Sequence, residues 1–92
     1  MMKYKLALTN QFKKGYKLMK KRNADFSKLE YVVDKLITGD SLDEKYRDHQ
    51  LMGQYSGCRE CHISPDWLLV YMVREDILTL TLLETGTHSD LF

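Results

Sequence analysis

Polar and apolar residues alternate along Lys-Tyr-Lys-Leu-Ala-Leu-Thr, a period of two that predicts a first strand over residues 3–9. The period then lengthens. Behind Asn10, which is placed to cap a helix, Phe12, Tyr16 and Met19 recur at i, i+4 and i+7, with lysines on the opposite face. Gly15 lies inside this helix and weakens it by up to ~1 kcal/mol relative to alanine. Asn23-Ala24-Asp25 is a break, and Asp25 or Ser27 caps a second helix. In that helix Leu29, Val32, Val33, Leu36 and Ile37 follow i, i+3, i+4, i+7 and i+8, the clearest amphipathic pattern of the chain. Gly39 suits a left-handed end to it. Residues 40–57 read as a polar loop with room for a short strand around Leu51 to Tyr55. Three strands are predicted beyond the loop. The first, 58–64, is closed by Pro65-Asp66. The second, 67–73, is apolar on both faces and therefore central. The third, 77–83, has Leu78, Leu80 and Leu82 inward and Thr79 and Thr81 outward. The short Glu75-Asp76 turn forces antiparallel pairing. The expected fold class is α+β in the order β-α-α-β-β-β, with two N-terminal helices packed on one face of a small, mostly antiparallel twisted sheet and a short C-terminal helical turn or tail. Ninety-two residues are expected to form a single domain, 1–92.

Charge adds an asymmetry to this pattern. Residues 1–22 carry eight bases and no acid, while the remainder carries six bases against thirteen acids, for a net charge of +1. A local field of this kind attracts polyanions, although a lysine-rich face also serves simply to solvate a helix. No apolar run approaches the ~20 residues that span a membrane, and the N-terminus has no secretory apolar region, so the expected location is the cytoplasm, without membrane attachment.

The candidate chemistry is concentrated in the second half of the chain. All three histidines lie there: His49, His62 in the run Cys61-His62-Ile63-Ser64-Pro65-Asp66-Trp67, and His88 in the closing Gly86-Thr87-His88-Ser89-Asp90-Leu91-Phe92. Histidine titrates nearest neutrality, so three of them with an aspartate suit general acid–base chemistry. Strand parity separates His62, together with Cys58, Glu60 and Ser64, from Arg59, Cys61 and Ile63. If Cys61 and Ile63 face the core, His62 faces out, and Arg59 is left inward, which favours an ion-pair partner slightly over a phosphate ligand. Cys58 and Cys61 form a C-x-x-C pair, and with His49 and His62 they number four ligands for a small zinc-binding module. Residues three apart on a strand face opposite sides, however, so chelation needs a bend at Arg59-Glu60. A thioredoxin-like redox role fits less well, because the pair lies in a strand rather than opening a helix.

The stretches Tyr46-Arg47-Asp48-His49-Gln50-Leu51-Met52-Gly53, Arg59-Glu60-Cys61-His62-Ile63-Ser64-Pro65-Asp66-Trp67-Leu68-Leu69-Val70-Tyr71 and Thr85-Gly86-Thr87-His88-Ser89-Asp90-Leu91-Phe92 give this chain a resemblance to RelE/ParE-like bacterial toxins, and among them to the YafQ type of toxin–antitoxin endoribonuclease. Residues 1–45 match in pattern more than in identity. The resemblance implies a metal-independent ribonuclease, without cofactor, that cuts mRNA in the ribosomal A site. It also implies a cognate antitoxin that holds the toxin inactive and is the only link to operator DNA. The positions matching the functional residues are His49, His62, Asp66 and His88, with Trp67 and Phe92 as flanking aromatics. On this reading His88 is a general acid or base, His62 with Asp66 supplies the complementary group, and His49 contacts the phosphate or shares the base role. Trp67 and Phe92 would stack on bases, and Arg59, Lys13, Lys17, Lys20 and Lys21 would meet phosphates. Relatives of this architecture also include gyrase-directed toxins, so a gyrase-directed or non-catalytic protein of the same fold is the alternative beside the zinc module.

Overall fold

The computed structural model describes residues 2–91. Strand β1 (Lys5–Leu8) is followed by helices α1 (Asn10–Lys21) and α2 (Phe26–Ile37) and by a 3-10 turn at Glu44–Tyr46. Then come β2 (His49–Gln50), a second 3-10 turn at Gly53–Tyr55, β3 (Arg59–Ser64), β4 (Trp67–Arg74), β5 (Thr79–Gly86) and α3 (His88–Leu91). The sheet runs β1-β5-β4-β3-β2, parallel only between β1 and β5. The expected α+β order holds, with β4 central. The short strand of the loop is His49–Gln50, however, and not Leu51 to Tyr55, because Gly53 takes φ +71° and starts a 3-10 turn there.

The helices form where their periods placed them. The cap of α1 is Thr9 rather than Asn10: its hydroxyl accepts from the Phe12 N–H at 3.0 Å and donates to the Leu83 carbonyl at 2.6 Å. One side chain thus starts the helix and ties it to β5. Asp25 caps α2, its Oδ1 accepting from the Ser27 N–H, and Gly39 ends the helix at φ +83°. Phe12 and Met19 of α1 and Leu29, Val32, Leu36 and Ile37 of α2 pack on Cys61, Ile63, Trp67, Leu69, Tyr71, Leu80 and Leu82. Gly15 is required by this packing. A Cβ there would sit 2.1 Å from the Thr85 carbonyl oxygen, so glycine lets α1 lie directly on β5.

Strand β5 departs from simple alternation twice. Leu78, expected inward, is half exposed in the turn at φ +45°, and the strand starts at Thr79. Tyr71 pairs with Leu82 while Val70 pairs with Glu84, so Leu83 is an extra, bulged residue. The bulge resets the parity. Thr85 turns into the core and Glu84 turns to the opposite face, as bulges beside functional sites commonly re-aim side chains.

Candidate active site

The face of the sheet opposite α1 and α2 carries the histidines. Register sets them in two rows. His49, Glu60, Val70 and Glu84 lie across β2, β3, β4 and β5, and His62, Leu68 and Gly86 lie across β3, β4 and β5. Leu68 and Val70 form a fully buried apolar floor. His62 faces this surface because its neighbours Cys61 and Ile63 are drawn into the helix-side core, in agreement with strand parity.

Two clusters result. His88, at the start of α3, places Nδ1 3.2 Å from Asp66 Oδ1, and its ring meets the His62 ring edge to face with centroids 5.7 Å apart. Asp66 is at the β3–β4 turn, and the Leu68–Gly86 pairing brings the end of β5 beside it. An ionised carboxylate can only accept, so ionised Asp66 selects the Nδ1–H form of His88 and leaves Nε2 for proton transfer. The second cluster centres on Glu60, which is almost wholly buried. Its Oε1 lies 3.6 Å from His49 Nε2 and 4.0 Å from His62 Nε2. His49 Nδ1 contacts the Arg47 carbonyl at 2.7 Å. Since a carbonyl only accepts, Nδ1 carries the hydrogen and Nε2 is turned toward Glu60.

The structure therefore brings His49, His62, Asp66 and His88 together, but Asp66 pairs with His88 and not with His62, whose neighbouring carboxylate is Glu60. Sequence reasoning missed Glu60, although it shares His62's parity two residues away. It also missed Glu84, whose Oε2 is buried on this face without a hydrogen-bond partner. Trp67 is corrected: it is 3% exposed, donates Nε1–H to Thr85 Oγ1 at 2.8 Å and packs edge-on against Phe26, so it serves the core and has no free face for a base. Arg59 is committed elsewhere too. Its guanidinium meets both oxygens of Asp48 at 3.2 and 3.3 Å, and the Tyr71 hydroxyl donates to the same carboxylate. Burial and the adjacent Asp48 push the Tyr71 phenol up from its ordinary range. Lys13, Lys17, Lys20 and Lys21 are exposed on α1, on the far side of the sheet from His49 and His62. Phe92 lies outside the described residues.

Both cysteines are free and buried. Cys61 is fully buried in the helix-side core, where burial raises its thiol, and among the described residues no group of three or more His, Cys, Asp or Glu is arranged to hold a metal ion. The tail is clamped from α1: Arg22 donates to both oxygens of Asp90 at 2.7 and 3.1 Å, and Asp90 Oδ2 accepts the Thr87 N–H at 2.9 Å. Those bonds, the Arg22 one above all, hold the Asp90 carboxyl well below the usual carboxylate range.

A small α+β domain thus gathers three histidines and three carboxylates, Glu60, Asp66 and Glu84, at the open face of its sheet, side chains of the kind that general acid–base chemistry uses. The family model described as "Bacterial toxin of type II toxin-antitoxin system, YafQ" matches residues 4–92, and this chain belongs to that family of toxins. The mRNA interferase toxin YafQ of Escherichia coli strain K12 is 39% identical over 85 residues, covering 91% of this chain and 90% of that protein. In structure, the chain is similar to the toxin in the E. coli DinJ–YafQ toxin–antitoxin complex, with a TM-score of 0.89, 36% identity and 99% of both chains covered. It is equally similar to a metal-bound toxin from Helicobacter pylori, with a TM-score of 0.90, 39% identity and both chains covered in full.

Proposed function

We propose that this toxin is an endoribonuclease that cleaves mRNA in the ribosomal A site by attack of the RNA's own 2′-hydroxyl. The observation that carries the reading is the meeting of His62 and His88 at 5.7 Å with Asp66 on His88 Nδ1. One imidazole takes the 2′-OH proton as the oxygen attacks the adjacent phosphorus. The other, protonated, gives its proton to the departing 5′-oxygen. The products are a 2′,3′-cyclic phosphate and a 5′-hydroxyl. His49 and Glu60 lie beside the pair, where His49 can meet the phosphate. Each positioned acid or base contributes typically 10²–10⁴-fold, and orientation on the ribosome supplies much of the remainder. Both proton transfers use side chains of this chain, so the reaction needs no metal or other cofactor. The basic surface of α1 suits rRNA and mRNA phosphates, which supports the ribosome as the place of action and the cytoplasm as the compartment.

Residues 1–92 act as one unit held inactive by a cognate antitoxin, as the named E. coli complex of a relative supports, and operator DNA is met only through that antitoxin. A defined mRNA with a single 2′-deoxy nucleotide at the cut site tests the chemistry. The intact RNA should be cut to cyclic-phosphate ends, with or without chelator, and the deoxy RNA should survive. Cleavage of the deoxy RNA would exclude 2′-OH attack.

A further inference from the structure

Beside the histidines a cleft of about 670 Å³ opens at the end of β3. Lys28 and Tyr31 of α2 form one wall and Lys45, Tyr46 and Arg47 the other, and His62 stands at its border with the catalytic face. The short β2 pairs only with Arg59 and Glu60, so the outer edge of the second half of β3 is left to this cleft. Among the described residues no carboxylate lines it; Asp43 and Glu44, from the same turn, border the neighbouring cleft instead. Among the described residues, Lys28, Lys45 and Arg47 make no ion pair.

Two rings stand with these cations. Tyr31 and Tyr46 stack at 6.0 Å and 28°, and Tyr31 is half exposed. Lys45 lies over the Tyr46 ring and Lys35 over the Tyr31 ring. Arg47 takes a left-handed conformation at φ +50°, uncommon for a residue with a side chain. Arg47 lines the cleft, and the neighbouring one, while its carbonyl receives His49 Nδ1–H, so the cleft and the histidines share this residue. Cations beside a half-exposed tyrosine, in a volume that suits a small ligand, are the features that bind single-stranded nucleic acid.

Resting on the ribonuclease reading, we infer that this cleft is a subsite for a nucleotide adjoining the cleaved bond. Its base packs against the half-exposed Tyr31 and its phosphate meets Lys28, Lys45 and Arg47. Contiguity through His62 lets one RNA strand occupy both sites. Stacking serves any base, so the subsite adds affinity and register rather than sequence readout.

The test is binding of a short fluorescent RNA, 2′-deoxy at the cut site, measured by anisotropy over a salt series. Its partner is the same RNA made abasic at the flanking nucleotide. Wild type should bind the abasic RNA more weakly by roughly fivefold or more, and Tyr31→Ala should weaken the full RNA to the same degree while leaving the abasic RNA unchanged. A Lys28→Gln/Lys45→Gln protein should lower the salt slope by up to about 0.7, the value for one phosphate contact on a single strand. Thermal melts confirm folding, and the lysine variant stands if Tyr31→Ala does not fold. Equal binding of both RNAs by wild type and both variants would overturn the inference, as would no binding of the RNA by wild type. It would also be overturned if a glutamate-rich peptide of equal charge displaced the RNA from the cleft with equal affinity and depended equally on Tyr31. RNA held in this way but never cut, even on ribosomes, would support the subsite and sink the ribonuclease reading. RNA that is cut but insensitive to all these variants would do the reverse.

Discussion

His62 and His88 meet edge to face at 5.7 Å although β4 runs between the strands that deliver them. The contact depends on two register facts, His62 opposite Leu68 and Leu68 opposite Gly86, which place the end of β5 over the end of β3. If the two rings are the acid and the base of one reaction, removing either should disable the same step. His62→Gln and His88→Gln are each expected to slow single-turnover cleavage by roughly 10²–10⁴-fold, and the double variant to be little worse than the weaker single one. Additive losses would mean that the rings act separately.

Glu60 carries a distinct expectation. Its buried carboxylate is approached by both His49 and His62, so Glu60→Gln keeps the shape and removes the charge that both imidazoles face. Cleavage should fall by roughly 10-fold or more, while thermal stability stays near wild type. A large stability loss with normal cleavage would make Glu60 structural.

Acid should release the tail. The Asp90 carboxyl is held below its ordinary range chiefly by the Arg22 bonds, with the Thr87 N–H helping. A carboxyl depressed in the folded state contributes stability that is complete above its unfolded value of about 3.9 and is lost as pH falls toward the folded value. Wild type should therefore lose its melting advantage over Asp90→Asn as pH drops below about 4. At neutral pH Asp90→Asn should melt only a few degrees lower, since solvent screens so exposed a pair, yet it should cut more slowly because the His88 turn loosens. Melting curves from pH 7 to pH 3, beside cleavage rates, check both.

Gly15→Ala has a diagnostic sign. In a free helix the change stabilises by about 1 kcal/mol. Here the new methyl would stand 2.1 Å from the Thr85 carbonyl oxygen, and backbone cannot swing aside. The variant should be destabilised by about 1–3 kcal/mol, read by denaturant unfolding. A stabilised variant would mean that α1 does not lie on β5 as described.

What was legible in the chain follows from how local each signal is. The Leu29–Ile37 spacing read correctly because one helix face meets one core. His62 read outward because Cys61 and Ile63 on either side are committed inward, and the same parity left Arg59 inward, where Asp48 meets it. Glu60 escaped notice because its role depends on His49 arriving on a strand of two residues, too short to show a period. Glu84 escaped because the Leu83 bulge breaks the alternation that would otherwise point it into the core. Trp67 opens a strand that is apolar on both faces, and nothing local says which face an aromatic takes. Its place on the helix side became clear only with Leu68 paired to His62 on the opposite face.

The most direct test of the central claim is a reconstituted translation reaction programmed with one defined mRNA, with wild type or His88→Ala added and the ends mapped by primer extension. The account expects cuts within the A-site codon that require ribosomes, persist in chelator and disappear with His88→Ala. A folded wild-type protein that leaves the mRNA intact, or a His88→Ala protein that cuts as well as wild type, would contradict it.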